Sequence, residues 1–377
     1  MFIETIELKD FRNYDYLSLN LDEKINLLYG DNAQGKTNIL EAVCIASTTR
    51  SHRGARDEEL IKIDSFEDDT DKYDVCRIND RDAHIKLIVK KEFSADRIDI
   101  HLKRNKTKGI ALNGVPVKKA ADIFGILQIV FFCPEDLDIV RRGPGVRRHF
   151  LDMDISRINT LYLNHLLGYN RILESRNKLL KKINFEKKQG DIDTLDILDE
   201  QLVLAGNEII GERRKYITEL NRLTSDIHSS ISGKEEKAVL VYEPQVIEET
   251  FAEELKKQRE KDIRTGQTNT GPHRDDFTFF VNSADVKKFG SQGQKRTAAL
   301  SLKLAQLDIA EHMTGEKPVL LLDDVLSELD FNRQRFLLER IGNMQTIITC
   351  TGRDSLIKQE FKVDKIFKVS DGKVTEE

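Results

Sequence analysis

The stretch Gly30-Asp31-Asn32-Ala33-Gln34-Gly35-Lys36-Thr37 constrains this chain more than any other, because it fits the spacing GxxxxGK[ST]. It lies between a short apolar run, Ile25 to Tyr29, and a helical pattern, Thr37 to Ser47, with Ile39, Leu40, Val43 and Cys44 on one side. Strand, glycine turn and helix in immediate succession form a cradle for phosphate. The glycines let the backbone curl until its N–H groups and the positive end of the helix face an anion. In such a cradle Lys36 reaches the outer phosphates of ATP and Thr37 offers its hydroxyl to Mg2+.

A second apolar run, Val319-Leu320-Leu321-Leu322, ends in Asp323-Asp324. Asp323 is expected in the Mg2+ shell, and Asp324 is placed to orient or deprotonate the attacking water. The plainer reading, an acidic cap on a core strand, weakens once the glycine loop is present. The third element, Gly290-Ser291-Gln292-Gly293-Gln294, opens a helix that runs to Met313. A serine, a glycine and a fresh helix N-terminus make another anion site, and one nucleotide does not need two such cradles from one copy.

At 377 residues the chain is long enough for two lobes, each with its own core. Lysine and arginine number 60 against 65 acidic residues, a formal charge of -5, so no nucleic-acid partner follows from net charge and any such contact needs a local patch. The segments Ile3 to Leu8, Leu17 to Leu21, Ala83 to Lys91 and Arg97 to Lys103 read as strands, and the acidic run Asp64 to Asp74 as a solvated loop. Lys103 to Lys108, with Lys118 and Lys119 around Asn113-Gly114, reads as a basic loop or hairpin tip.

From Ile158 to Ile231 glycine and proline nearly vanish and apolar residues step by threes and fours. Two antiparallel helices of about 30 residues, each about 45 Å long, fit this pattern, joined by a polar tip at Asn184 to Asp191. Beyond them, Phe277 to Val281, Val319 to Leu322 and Thr346 to Cys350 read as strands alternating with helices, and Lys365 to Val374 as a closing hairpin on Asp371-Gly372. Cys44, Cys76, Cys133 and Cys350 show no CxxC pair and no metal-ligand spacing, which fits reduced thiols. No secretion-like start and no apolar run near the roughly 20 residues of a membrane span is visible, so a cytoplasmic chain is expected.

Phosphate loop, serine-led helix, carboxylate strand and then Ser327-Glu328-Leu329-Asp330 follow in an order that resembles the ABC-type ATPase heads, including those of SMC proteins. Within that class the chain is similar over nearly its whole length to the RecF family of bacterial repair proteins. The matching islands are Leu8 to Tyr14, Gly30 to Thr37, Arg50 to Arg53, Phe132 to Leu137, Arg147 to Asp152, Thr270 to Asp276, Ser291 to Arg296 and Leu321 to Asp330. The resemblance implies an α/β fold, an ABC-type P-loop ATPase head with a mixed sheet flanked by helices, formed by residues 1–133 and 270–377. Residues 134–269 would form a mostly helical second lobe with a short coiled arm. It also implies that the signature serine, here Ser291, touches the γ-phosphate held by a second copy, so that two ATP molecules join an otherwise weakly paired chain into a homodimer. The implied setting is recombinational DNA repair, replication restart and the SOS response. There the dimer would bind duplex DNA beside single-stranded gaps, work with RecR and RecO to load RecA, and hydrolyse ATP slowly as a release switch.

Two departures from the wider ABC pattern stand out. Asp324 occupies the place where many heads carry glutamate, and no histidine follows the strand Thr346 to Cys350; slow turnover is the expected result. Arg12 and Asn13 approach the bound ATP in the family's pattern, with a strand-end turn as the equal alternative. Glu135 stands where other heads place a γ-phosphate-sensing glutamine, or simply caps a helix. Candidate DNA contacts are Lys103, Arg104, Lys106, Lys108, Lys118 and Lys119, and at the arm tip Lys178, Lys181, Lys182, Lys187 and Lys188, with solvated faces as the alternative. A transporter ATPase and an SMC-like tether are the competing readings. The helical arm argues against the first, and its shortness against the second.

Overall fold

The computed structural model describes residues 1–63, 81–186, 189–233, 236–352 and 362–377. The acidic run Asp64 to Asp74, Cys76, Lys187 and Lys188 lie outside the described residues. The chain divides into two compact units, Met1–Pro134 with Ala310–Glu377, and Glu135–Ile309.

The first unit is built on two six-stranded sheets. In one, the order is Lys373–Glu376, Lys365–Ser370, Ile25–Tyr29, Thr346–Cys350, Val319–Asp323 and Ile129–Phe132. Its strands are parallel except for the terminal hairpin. Val319–Asp323, Thr346–Cys350 and Ile129–Phe132 are buried at every position, as central strands of a parallel sheet covered on both faces are. The other sheet is an antiparallel series from Tyr14–Asn20 through Phe2–Phe11, Ala83–Lys90, Ala95–Leu102 and Gly109–Leu112 to Val115–Pro116. Ala83–Lys90 alternates strictly between buried and half-buried residues, which shows one face on the core. The helix Lys36–Thr48 packs against strands of both sheets. Its sequence pattern suggested one apolar side, but Lys36, Glu41, Ser47 and Thr48 are buried along with Ile39, Leu40 and Val43. A helix covered from two directions has no need of a wet face.

The second unit carries the arm, the helices Thr160–Phe185 and Gln189–Ile231. The second helix has 43 residues, a length of about 65 Å at 1.5 Å per residue, well beyond the expected 30. Leu180, Ile183 and Leu195 form an apolar cluster between the two. The fully buried guanidinium of Arg176 ties them by donating to Asp199 at 2.6 Å and to Asp262 and Thr268 at 2.8 Å.

Residues 270–309 were expected with the ATPase lobe, yet they cluster with the helical unit. The strand Asp276–Val281 pairs antiparallel with Ala238–Glu243 in a separate three-stranded sheet rather than joining the parallel one. Its start is anchored from the helices. Arg147 donates to both carboxylate oxygens of Asp276 at 2.6 and 2.8 Å, and Arg213 to Asp275 at 2.9 Å.

Candidate nucleotide site

The strand Ile25–Tyr29 delivers the chain to Gly30, whose φ of 155° and surroundings admit no side chain: a Cβ there would stand 2.1 Å from the Val369 carbonyl oxygen. Gly35, at φ 113°, starts the helix Lys36–Thr48 and supplies no side-chain cap. A Cβ on Gly35 would meet the Asn13 amide at 2.5 Å and the Tyr14 hydroxyl at 2.7 Å. The two fixed glycines therefore bring the backbone into contact with its neighbours and present an uncapped helix N-terminus, the ordinary requirement for an anion cradle.

Lys36 arches back over the loop, its Nζ donating to the carbonyls of Gly30 and Asp31 at 2.6 Å each. Burial pulls its pKa below the usual lysine value, while Asp324 and Asp323 oppose that shift. Directly below, Thr37 Oγ1 donates to Asp323 Oδ1 at 2.8 Å, and Thr349 Oγ1 donates to the same oxygen at 2.8 Å. A hydroxyl and a carboxylate converging from two elements are the hard oxygen donors that Mg2+ takes alongside phosphate. The donor set and the glycine cradle thus fit Mg·ATP, with Lys36, Thr37 and Asp323 as the residues that would hold it.

Asp324 follows in the left-handed conformation at φ 52°, with its N–H donating to Thr349 Oγ1 at 3.0 Å. Burial raises its carboxyl pKa and neighbouring Asp323 adds to the rise, against the pull of Lys36. A more basic carboxylate at the end of this strand is better suited to take a proton from water. Thr349, in the strand that lacks a histidine, braces both aspartates. The Cys350 thiol is pushed up to about 11 by burial and stays protonated.

Arg12 and Asn13 occupy the turn beside the loop. Arg12 donates from Nε and Nη2 to the two carboxylate oxygens of Glu41 at 2.8 and 2.9 Å, and from Nη1 to the Glu59 carbonyl at 3.0 Å. Asn13 donates to the Gln34 carbonyl and accepts from Asn38, both at 2.9 Å. Both side chains brace the loop and its helix. Ser51, whose island had no assigned role, donates to Glu41 at 2.5 Å, while His52 stacks at a tilt on Phe131 with ring centroids 4.2 Å apart.

Glu41 and Thr349 escaped the sequence reading, whereas Ser51 and the Asp371-Gly372 turn were read only as part of a matching island and as a hairpin turn, without their bonds to the helix and the loop. Of the first two, only Glu41 left a signal, as a lone carboxylate inside an apolar helix.

Ser291, Gln292, Gly293 and Gln294 belong to the other compact unit. Ser291 Oγ accepts from the Gln294 N–H at 3.2 Å and Gln294 Oε1 accepts from the Ser291 N–H at 2.9 Å, a reciprocal cap on the helix Gln292–Thr314. Accepting that bond leaves the Ser291 O–H able to donate. Gln292 is hydrogen-bonded by Arg141, and the Gly293 carbonyl accepts from Thr297 at 3.0 Å. Glu135 is exposed on the short turn Pro134–Asp136. His273 bridges the Tyr169 hydroxyl at 2.7 Å and the Thr268 carbonyl at 3.0 Å, which places the Thr270 to Asp276 island in the packing of the helical unit.

The model of the RecF/RecN/SMC N terminal domain matches residues 2–375. The DNA replication and repair protein RecF of Lachnospira eligens is 50% identical over 377 residues, covering 100% of both chains. The chain belongs to the RecF family. RecF of Agathobacter rectalis is 48% identical over 374 residues, with 99% of each chain covered. A solved structure described as the recombination mediator protein RecF-ATP in the RecFOR pathway superposes with a TM-score of 0.89 at 38% identity, covering 100% of this chain and 97% of that one. An SMC head bound to the C-terminal winged-helix domain of ScpA superposes at a TM-score of 0.58 and 18% identity, covering 100% of this chain and 98% of that one, and shares the ATPase-head fold with RecF. Among the described residues no helix is long and apolar enough to cross a membrane.

Proposed function

We propose that this RecF-family chain is a cytoplasmic ATP-switched DNA clamp of recombinational repair, acting in the RecFOR pathway. The observation that carries ATP binding is the meeting of Thr37 and Asp323 beneath an uncapped glycine loop, with Lys36 folded over it. The solved relative described as RecF-ATP supports the same ligand. Mg2+ bound there would neutralise charge on the outer phosphates. Lys36 would bind those phosphates, Thr37 and Asp323 would hold the metal, and Asp324 would orient the attacking water. The shorter carboxylate stands farther back from that water than a glutamate would, and hydrolysis is slow.

In this reading Ser291 completes the site of a second copy, and the homodimer closes on duplex DNA at single-strand gaps, with RecR and RecO as partners in loading RecA. For DNA, Lys103, Lys106 and Lys108 share a cleft of about 460 Å³ with Arg50 and Arg56. Lys108 is held there by Asp57 at 2.9 Å, so it shapes the cleft wall while the other four supply charge. At the arm, Lys178 and Lys182 pair with Glu174 and Asp191, at 2.6 and 2.7 Å, which weakens their case as phosphate contacts.

Solution mass measured with and without Mg·ATP tests the proposal. The wild type doubles in mass with nucleotide. Lys36→Arg does not, and Ser291→Arg still binds ATP but stays single. A mass unchanged by ATP in the wild type sinks the clamp, and loss of nucleotide affinity in isolated Ser291→Arg assigns Ser291 to its own subunit's site.

A further inference from the structure

The crest of the nucleotide loop is gripped at Gln34 from two sides. Its main-chain oxygen accepts from Asn13 Nδ2 at 2.9 Å and from the Gly372 N–H at 3.4 Å, and its side-chain Oε1 accepts from the Asp371 N–H at 2.5 Å. Asp371 and Gly372 are the two turn residues between Lys365–Ser370 and Lys373–Glu376, at φ 49° and 68°. Two positive φ values in a two-residue turn are the hairpin geometry that glycine and aspartate tolerate.

The fit leaves no slack. A Cβ on Gly372 would lie 2.6 Å from the Asn13 carbonyl oxygen, as one on Gly30 would lie 2.1 Å from that of Val369. Phe367 and Val369 are buried in the same core as Leu28 and the helix residues Ile39 and Leu40. The hairpin is therefore a fixed abutment, and Tyr29 adds a hydrogen bond to Glu377 at 2.5 Å.

We propose that the Asp371-Gly372 turn, acting through Gln34, is a positioning element that holds the loop in its phosphate-accepting form before the nucleotide arrives. The inference rests on the reading of Gly30 to Thr37 as a nucleotide loop. It makes the Gln34 side chain a latch rather than a nucleotide contact. A loop already ordered when free loses less conformational entropy on binding, so the latch acts on affinity.

Amide hydrogen exchange on the full-length, nucleotide-free protein, with titration of a fluorescent ATP analogue, tests this. In the wild type the Asp371 amide exchanges slowly, and in Gln34→Ala it exchanges fast. Gln34→Ala weakens the analogue about tenfold, the scale of one strong hydrogen bond; Asp371→Pro, which removes the N–H and also displaces the turn because proline cannot take the φ of 49° found there, weakens it at least as much, whereas the exposed Lys373→Ala binds as the wild type. KM for ATP rises in both loop variants while kcat at saturation holds, a split that general loosening of the fold does not produce. Weakened binding in Gln34→Ala with none in Asp371→Pro would mean the side chain touches nucleotide, and a fast Asp371 amide in the wild type would mean that no latch exists. Failure of the wild type to take up the analogue would instead overturn the nucleotide reading on which the latch depends.

Discussion

Glu41 is a carboxylate set wholly inside the core, one turn beyond the phosphate loop, and it survives there as an ion because Arg12 and Ser51 spend three hydrogen bonds on it. Burial works against its charge, but the bonds from Arg12 and Ser51 outweigh that, and its pKa lies below the usual glutamate value. Its stabilising contribution is therefore complete above the ordinary carboxylate range and is lost as pH falls through the lowered folded value. Glu41→Gln is expected to reduce unfolding free energy by about 2 kcal/mol at neutral pH, read by urea denaturation; a change near zero would show the pair to be idle. His273 has the same sign for a different reason. Burial depresses its pKa to about 4 from 6.5, so the unfolded chain binds the extra proton between those values. Stability is full above 6.5 and declines by roughly 3 kcal/mol as pH drops to 4. His273→Asn should flatten the pH–stability curve in that window, whatever it does to stability at pH 8.

Between the arm helices, the buried charge of Arg176 faces Asp199 and Asp262, and removing one partner strands the others. Arg176→Ala is expected to destabilise by about 3–5 kcal/mol, because Asp199 and Asp262 lose the guanidinium inside the core; calorimetric melting against the wild type measures it, and a change of less than about 1 kcal/mol would show the cluster to be idle. The arm was legible in sequence because its apolar stripe is local and repeats every turn. Its length was underestimated rather than hidden: the interval from the expected tip at Asn184 to Asp191 through to Ile231 already holds 40 residues, and the helix takes in three more from Gln189. The strand Asp276–Val281 was legible as a strand but not as a member of its sheet, since strand alternation records period and not partner. In the nucleotide site, Gly30, Lys36 and Thr37 were readable because one short segment encodes them. Asp323 joined them on motif grounds. The bonds from Arg12 to Glu41, from Thr349 to Asp323 and from Asp371 to Gln34 link positions 29, 26 and 337 residues apart, and no local pattern says that the two ends of each meet.

For the molecule as a whole, the basic cleft of Arg50, Arg56, Lys103 and Lys106 commits the clamp proposal to a salt dependence. If these four meet phosphates, log affinity for duplex DNA should fall against log salt with a slope of about -0.9 per contact, and Lys103→Glu with Lys106→Glu should flatten the slope by about two contacts. Fluorescence anisotropy across a salt series measures both, and a slope that is unchanged in the double variant moves the DNA elsewhere. The helix Lys36–Thr48, closed in by sheets on either side, has a further consequence for anyone comparing relatives of this chain. With no wet position from Ile39 to Thr48, a substitution there has to keep volume, and at Glu41 it has to keep the charge that Arg12 and Ser51 hold as well. Any constancy found along that segment would measure crowding before it measured catalysis, whereas Lys36 and Thr37 at its leading end are the positions that the proposed nucleotide role would constrain.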